Sequence, residues 1–173
     1  MLKTKPKILF GMRDDGDMTE PMNLMLLSSL AKSNGYLTDI WVKERDDLGD
    51  TLKRVKPDND AFSGITGSHK YYIEAAYRIK KIEPRIRIVV GGPHFTFLPK
   101  QTLLENHSFD IGIIGEGERT LEKLLNALIH NIPLHSVSGI AFRSNGEIVL
   151  TSMRRIIQNL DELPLPAFDL LPE

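Results

Sequence analysis

The chain has 173 residues, which suits one domain with a full hydrophobic core and an appendage. Lys and Arg (22) nearly balance Asp and Glu (23), so the sequence offers no electrostatic basis for binding nucleic acid or a membrane surface. No apolar run approaches the roughly 20 residues of a membrane helix, and the basic N-terminus leads into a polar segment rather than a secretory leader. We therefore expect a cytoplasmic protein.

The sequence contains no cysteine. Disulfides, thiolate nucleophiles, iron–sulfur ligation and cysteine-ligated zinc are therefore excluded for this chain. Its five histidines form neither an HExxH pair nor another close metal-ligand spacing, so a catalytic zinc site is not expected.

The first 130 residues alternate between short β-branched runs and segments with helical spacing of apolar residues. Strands are predicted at residues 7–10, 37–42, 60–66, 86–90 and 111–114. Helices are predicted at residues 21–34, 46–55, 70–82, 99–105 and 118–130, the third of them capped by Ser68. This alternation predicts an α/β fold with a doubly wound, five-stranded parallel sheet, Rossmann-like or flavodoxin-like. Ligands of such sheets bind beyond the carboxyl ends of the strands.

The last 40 residues differ in pattern. Asn145-Gly146 between apolar runs at 139–143 and 147–150 predicts a β-hairpin, and residues 154–157 predict one more strand. Pro164 and Pro166 exclude a helix and predict an extended linker. We therefore expect an α/β domain at residues 1–132 and a hairpin with a linker at residues 133–173.

Small residues follow three of the predicted strands, where they would let a ligand approach the backbone. They are Ser63, Gly64, Ile65 and Thr66 after the third strand, Gly91, Gly92, Pro93 and His94 after the fourth, and Gly115, Glu116 and Gly117 after the fifth. Each of the first two segments has a plain alternative: a glycine turn followed by a helix cap after the third strand, and a turn forced by Pro93 after the fourth. The alternative for His94 is a structural role as a hydrogen-bonded side chain. The GxG after the fifth strand lacks the third glycine of a dinucleotide site.

The loop after the first strand, residues 11–21, carries four acidic residues and one arginine. Carboxylates do not suit a phosphate cradle, which needs glycines, hydroxyls and free backbone N–H groups. The loop therefore argues against a flavodoxin-type phosphate site. A solvated turn is its plain alternative.

Two of these segments together are similar to a known family. They are Gly91-Gly92-Pro93-His94-Phe95-Thr96 and Asp110-Ile111-Gly112-Ile113-Ile114-Gly115-Glu116-Gly117-Glu118-Arg119-Thr120. They resemble the N-terminal cobalamin-binding domain of cobalamin-dependent radical S-adenosylmethionine (SAM) enzymes, which include methyltransferases, ring-contracting enzymes and the anaerobic cyclase of magnesium-protoporphyrin monomethyl ester. Residues 139–167 resemble the segment that joins this domain to the radical barrel.

The resemblance implies that the corrin lies over the carboxyl edge of the sheet and that its dimethylbenzimidazole tail enters a slot near the third and fourth strand ends. Residues 63–66 would face the tail, Gly91 and Gly92 would line the slot, and residues 115–117 would form the neighbouring wall. The family's barrel holds a [4Fe–4S] cluster on a CxxxCxxC motif and binds SAM. Since this chain has no cysteine, it is expected to bind cofactor without radical chemistry of its own.

The family's histidine-ligated members carry D-x-H-x-x-G after the first strand. Here that loop has Asp14, Asp15, Gly16 and Asp17 but no histidine. The resemblance therefore implies base-off cobalamin, in which the lower base leaves cobalt and no histidine of this chain replaces it. The lower face would be empty, bound to water or approached by Met12 or Arg13, and Asp14 is counted with the cofactor-binding residues.

Two other functions remain open from the residues alone. A receiver-type signalling domain shares the strand order, and Asp14 and Asp15 fit its acidic first loop. Its phosphoacceptor aspartate and its lysine have no counterparts at Ile65-Thr66 and Gly115-Glu116. A structural domain that has lost its cofactor is the other alternative, against which the glycines at three strand ends argue mildly.

Overall fold

The computed structural model describes residues 5–14 and 21–170. Over these ranges the chain forms a seven-stranded sheet in the order β2-β1-β3-β4-β5-β6-β7. The strands are β1 (Lys7–Met12), β2 (Leu37–Val42), β3 (Asn59–Ser63), β4 (Arg87–Gly91), β5 (Ile111–Ile113), β6 (Ile140–Ser144) and β7 (Glu147–Leu150). The helices are α1 (Met22–Ser33), α2 (Leu48–Val55), α3 (His69–Ile82), α4 (Pro93–Phe97), α5 (Pro99–Glu105) and α6 (Glu118–His130). Short 3₁₀ turns lie at Leu134–Ser136, Leu160–Glu162 and Phe168–Leu170.

The first five strands are parallel and lie in the order 2-1-3-4-5. This is the doubly wound flavodoxin-like arrangement, whose strand order reverses at β1 and β3. The predicted fold class is confirmed. It directs attention to the carboxyl ends of the strands around that reversal.

The sheet separates two hydrophobic cores. On one face, Met25 of α1 and Leu124 of α6 are fully buried against Ile8 and Phe10 of β1. On the other face, Leu52 of α2 and Ile79 of α3 pack with the second set of strand side chains. Successive strand residues point to opposite faces of the sheet, so each face presents its own set of apolar side chains. Burying one such side chain stabilises the fold by roughly 1.5–3 kcal/mol, and the helices therefore pack where these side chains lie.

A glycine in β5 makes room for an aromatic ring of the second core. A Cβ atom at Gly112 would overlap the ring of Phe95, which is fully buried. Phe95 belongs to α4, a short helix absent from the predicted elements. Pro93 begins α4, and proline suits a first helical position because its missing N–H has no partner there in any case.

Three predictions at segment ends are wrong. β3 ends at Ser63 rather than at 66, because the Gly64 N–H donates to the Gly91 carbonyl and the Gly64 carbonyl accepts from the His94 N–H, which turns the chain. The Ser68 hydroxyl does not cap α3; it donates to the Ile65 carbonyl. Residues 154–157 are not a strand; Arg154 bonds instead to Thr120 and to a backbone carbonyl.

The predicted hairpin is confirmed as β6 and β7, and it extends the sheet because β6 pairs antiparallel with β5. Asn145 and Gly146 both have positive φ, as a two-residue type I′ turn requires. The division of the chain at residue 132 stays a prediction. Within the described ranges, no helix is both long and apolar enough to cross a membrane.

Residues 153–170, which include the predicted proline-rich linker, lie against α1 and α6, and we call this segment the C-terminal strap. At its α6 end, Arg119 pairs with Glu162. At its α1 end, the Ala167 N–H donates to the Met25 carbonyl and Lys32 pairs with Asp169. The strap therefore fastens the two helices of one sheet face to each other.

Candidate functional site

A slot opens between α1, α6 and the carboxyl ends of β3, β4 and β5, with a volume of about 260 Å³. Its floor follows from strand periodicity, because residues two apart lie on the same face of a sheet. β3 and β4 each contribute an apolar residue and, two positions later, a small residue at the carboxyl edge, whereas β5 ends at its apolar residue and the small one follows in the loop. The pairs are Ala61 and Ser63, Val89 and Gly91, and Ile113 and Gly115.

The walls come from the two helices that the strap connects. α1 contributes Leu24 and Leu27, and Asn23 stands in its first turn. Across the slot, Gly117 precedes α6 and Leu121 lies in its first turns. A Cβ atom at Gly117 would stand 3.5 Å from Leu27, so a side chain there would narrow the gap between the helices.

The adjacent glycines of β4 have different physical roles. Gly92 has φ +91°, and a Cβ there would lie 2.7 Å from the Gly64 carbonyl oxygen, closer than such atoms approach. A Cβ at Gly91 would meet Ile113 at an ordinary 3.6 Å. Gly92 is therefore required by the turn itself. Gly91 keeps the slot open, because a larger side chain there would occupy it.

One hydrogen bond crosses from α1 to β3. The Asn23 Nδ2 donates to the Ser63 Oγ at 3.2 Å. The hydroxyl oxygen is thus used as an acceptor, which leaves the Ser63 proton available to a group inside the slot. On the far side of the slot, the Thr96 hydroxyl accepts from the Gly115 N–H at 3.0 Å and so fixes the end of β5.

Two predicted residues, Thr66 and His94, form a separate cluster with His69 on the α3 side. His94 Nδ1 lies 3.0 Å from the Thr66 hydroxyl, and its ring stacks on His69 at 3.8 Å between centroids. Burial lowers the pKa of His94, and the neighbouring His69 lowers it further. Ile65 is exposed. In this geometry His94 is a hydrogen-bonded, stacked side chain, as the plain alternative for it predicted.

The predicted residues of the first loop contact the segment after β2. Arg13 pairs with Glu44 and places its guanidinium 4.2 Å from the centre of the Tyr71 ring. Asp14 pairs with Arg45 at 2.7 Å. Met12, the last residue of β1, packs at the margin of the first core. Asp15, Gly16 and Asp17 lie outside the described residues.

The structure thus gathers half of the predicted residues around one cavity. Those that line the slot are Ser63, Gly91, Gly92, Pro93, Gly115, Glu116 and Gly117. Those outside its lining are Met12, Arg13, Asp14, Gly64, Ile65, Thr66 and His94. Sequence reasoning missed the lining residues Asn23, Leu24, Leu27, Ala61, Phe62, Val89, Ile113, Glu118 and Leu121. The signal that could have found the floor was an apolar residue two positions before each small one.

A second, wider cavity of about 630 Å³ lies at the opposite edge of the sheet, by the amino ends of β3 and β4. Its lining mixes the cations Lys53 and Arg85 with the anions Asp58 and Glu83. Parallel α/β sheets bind their ligands at the carboxyl edge, so the smaller slot is the candidate site.

Comparison with known sequences also indicates a ligand-binding domain. A family profile described as "B12 binding domain" matches residues 13–125. The uncharacterized methyltransferase PH0819 of Pyrococcus horikoshii is 30% identical over 164 residues, 91% of this chain and 35% of the relative. The anaerobic magnesium-protoporphyrin IX monomethyl ester cyclase of Synechocystis sp. is 34% identical over 99 residues, 57% of this chain and 20% of that enzyme.

A solved structure shares the fold. The cobalamin-dependent SAM radical enzyme OxsB, with aqua-cobalamin and SAM bound, superposes with a TM-score of 0.79 at 22% identity. The superposition covers 97% of this chain and 25% of OxsB. The chain therefore spans about a third or less of each of these three proteins.

The receiver alternative requires an accessible phosphoacceptor at the carboxyl end of β3, and the strand has none there. Its aspartate is Asp60, which lies near the amino end of the strand and is fully buried. The profile match covers more than half of the chain, and the slot lies where that fold binds ligands. The chain belongs to the B12-binding domain family, and it resembles the domains of this family found in cobalamin-dependent radical SAM enzymes.

Proposed function

We propose that the chain holds cobalamin base-off, with the lower nucleotide in the slot and the corrin over the carboxyl edge of the sheet. The observation that carries the proposal is the floor of the slot, where a small residue lies two positions after an apolar one at the ends of β3 and β4 and just beyond the end of β5. When bound, cobalamin supplies a cobalt ion able to carry and release an alkyl group.

The slot fits an aromatic lower base. Leu24, Leu27 and Leu121 offer hydrocarbon walls, and burial of apolar surface is worth roughly 25 cal/mol per Å². Gly91 and Gly115 leave the backbone bare at the mouth, so an extended nucleotide arm can pass close to it. The Ser63 hydroxyl, oriented by Asn23, would donate its proton to the unligated ring nitrogen of the base.

The base-off state is supported by the sequence and contacts of the first loop. Residues 11–21 contain no histidine that could replace the lower base on cobalt. A base bound in the slot would lie away from the metal, and the first loop would offer no histidine nitrogen in its place. Met12 and Arg13 stand at the carboxyl end of β1, where we propose that the first loop, with Asp14, borders the corrin.

In the whole protein, we propose that this domain presents cobalamin to a radical SAM barrel that binds the [4Fe–4S] cluster and SAM. The greater length of the matched relatives supports this, as do the methyltransferase and cyclase names among them. Since these 173 residues contain no cysteine, a cluster of that type would have to lie outside them. The reaction of the whole protein would then be a methyl transfer or a cyclisation.

The proposal is tested by titrating the purified chain with hydroxocobalamin and methylcobalamin, followed by desalting and absorption spectroscopy. We expect a corrin spectrum that stays with the protein and shifts to the base-off form. Gly91→Val should reduce retention at least about tenfold, since its side chain would fill the slot mouth. Glu147→Val, on the exposed edge strand β7, is the control.

Three results would count against the proposal. Absence of retained cobalamin would overturn it. A retained base-on spectrum would keep the cofactor but overturn the base-off assignment. Equal retention by Gly91→Val would overturn the slot as the site of the lower nucleotide.

A further inference from the structure

Polarity is distributed unevenly along the slot. Its polar side chains lie at the level of the strand ends and the first turns of the helices; they are Asn23, Ser63, Glu116 and Glu118. The deep end is different. Among the described residues, the side chains lining it are hydrocarbon only: Ala61, Val89 and Ile113 on the floor, and Leu24 and Leu121 on the walls.

The depth of this apolar zone follows from strand geometry. Ala61 precedes Ser63 by two residues on the same face, which is about 6.6 Å along a parallel strand. A fused bicyclic base that enters beside Ser63 would therefore place its far ring between Val89 and Leu121. The backbone there offers few free hydrogen-bonding groups to a ligand, because Ala61 pairs with Val89 within the sheet.

We propose that this slot selects cobamides by their lower base, accepting benzimidazole-type bases and discriminating against purines. The inference rests on the proposed function and adds a substrate class to it. The far ring of a benzimidazole is a hydrocarbon, which matches the deep end. The far ring of adenine carries two ring nitrogens and a neighbouring exocyclic amine, which would lose their water and find no side-chain partner among Ala61, Val89 and Leu121.

The size of the preference follows from hydrogen-bond energetics. Leaving one buried donor or acceptor without a partner weakens binding by about 10-fold to 100-fold. The methyl groups of dimethylbenzimidazole would add apolar contact in the same region. We therefore expect the adeninyl cobamide to bind at least about tenfold more weakly than cobalamin.

The test compares dissociation constants of the chain for four corrinoids, measured by absorbance titration. They are cobalamin, the unsubstituted benzimidazolyl cobamide, the adeninyl cobamide and cobinamide, which lacks the lower nucleotide. Cobinamide reports the contribution of the corrin alone. The expected order is cobalamin and the benzimidazolyl cobamide tightest, the adeninyl cobamide weaker, and cobinamide no tighter than the adeninyl cobamide.

A pair of matched variants locates the selectivity. Ala61→Ser adds one hydroxyl to the floor of the slot, where Ala61 is 7% exposed. The added hydroxyl can pair with a purine atom, so it should narrow the preference about threefold or more. Ala75→Ser makes the same change in α3 on the other face of the sheet, at 5% exposure, and should leave the preference unchanged.

The outcomes separate this inference from the proposed function. If no corrinoid binds, the proposed function fails and this inference with it. If cobalamin and the adeninyl cobamide bind equally, and both more tightly than cobinamide, the function stands and the selectivity is overturned. Equal binding of cobalamin and cobinamide also overturns it, because the slot then takes no part. If Ala61→Ser and Ala75→Ser change the preference for benzimidazole-type bases equally, the selectivity does not come from the floor of the slot.

Discussion

The Glu116 carboxylate accepts a 2.7 Å hydrogen bond from the backbone N–H of Ile157. Glu116 lines the slot, while Ile157 belongs to the C-terminal strap. The strap continues from there to α1, where the Ser29 hydroxyl donates to the Leu165 carbonyl. The two walls of the slot are thus held by a segment outside it, so contacts of the strap affect the width of the slot.

We expect Glu116→Ala to release this part of the strap. A hydrogen bond to an exposed carboxylate contributes about 1 kcal/mol, so the Ile157 amide should exchange with solvent about fivefold faster. Hydrogen exchange followed by mass spectrometry measures this directly. Glu116→Gln, which keeps an oxygen acceptor, should give an intermediate rate, and Glu147→Ala should give none of the effect. Unchanged exchange at Ile157 in the alanine variant would contradict the role of the strap.

Adjacent glycines should respond differently to the same substitution. Gly92→Ala forces a side chain into a positive-φ position and against the Gly64 carbonyl, which should lower the free energy of unfolding by about 2–3 kcal/mol. Gly91→Ala makes only an ordinary contact with Ile113, so we expect a change within about 0.5 kcal/mol. Urea denaturation of the two variants gives both values. Similar losses in both would show that Gly92 is not under special constraint.

Asn23 and Ser63 should act as one unit on the ligand. Ser63→Ala removes the proton donor, and Asn23→Ala removes the group that orients it, so each should weaken cobalamin binding about threefold to tenfold. The double variant should be only slightly worse than Ser63→Ala, because Asn23 works through that hydroxyl. Additive losses measured by titration would indicate that the two side chains act independently.

The buried Asp60 predicts a pH dependence of stability. Its carboxyl group is fully buried, and both oxygens lack a side-chain hydrogen-bond partner. Burial raises the pKa of Asp60 well above the ordinary 3.8, so between these two values the folded chain binds more protons than the unfolded chain. Its contribution to stability is therefore fully present below about pH 4 and is lost as pH rises toward the folded pKa.

Comparison with Asp60→Asn isolates this effect. Relative to the variant, the wild-type chain should lose up to about 1.4 kcal/mol of unfolding free energy per pH unit as pH rises through the window above 4. Urea denaturation at pH 5, 6 and 7 measures the difference. Asp161→Asn, at an exposed position, is the control for removing one carboxyl group. A difference that is constant across pH would refute the raised pKa.

Periodicity alone predicted most of this fold. The β-branched runs identified five strands, and Asn145-Gly146 gave the hairpin, because local backbone preferences and side-chain alternation determine both. The short helix α4 was missed since Gly92 and Pro93 signal a turn as strongly as a helix start. The prediction that Ser68 caps α3 was wrong because its hydroxyl donates to the Ile65 carbonyl instead of accepting from a helix N–H.

The candidate site was only half predictable for a related reason. Small residues at strand ends are visible in sequence, so Gly91 and Gly115 were found. The walls depend on how α1 and α6 pack, which brings Leu27 opposite Gly117 across more than 80 positions of the chain. Thr66 and His94 were placed at the site by their strand ends, but the turn at Gly64 directs them toward α3.

Phe95 fills the space that a side chain at Gly112 would occupy, so part of the Gly-Gly-Pro-His-Phe-Thr segment serves the fold and not the ligand. Phe95 and Thr96 follow Gly-Gly-Pro-His in the segment by which the family was recognised, yet one fills the core and the other anchors the end of β5. A descendant that lost its corrinoid would still need both to fold. The residue that best indicates ligand binding itself is Gly91, because a side chain there would reduce binding while making only an ordinary contact with the fold.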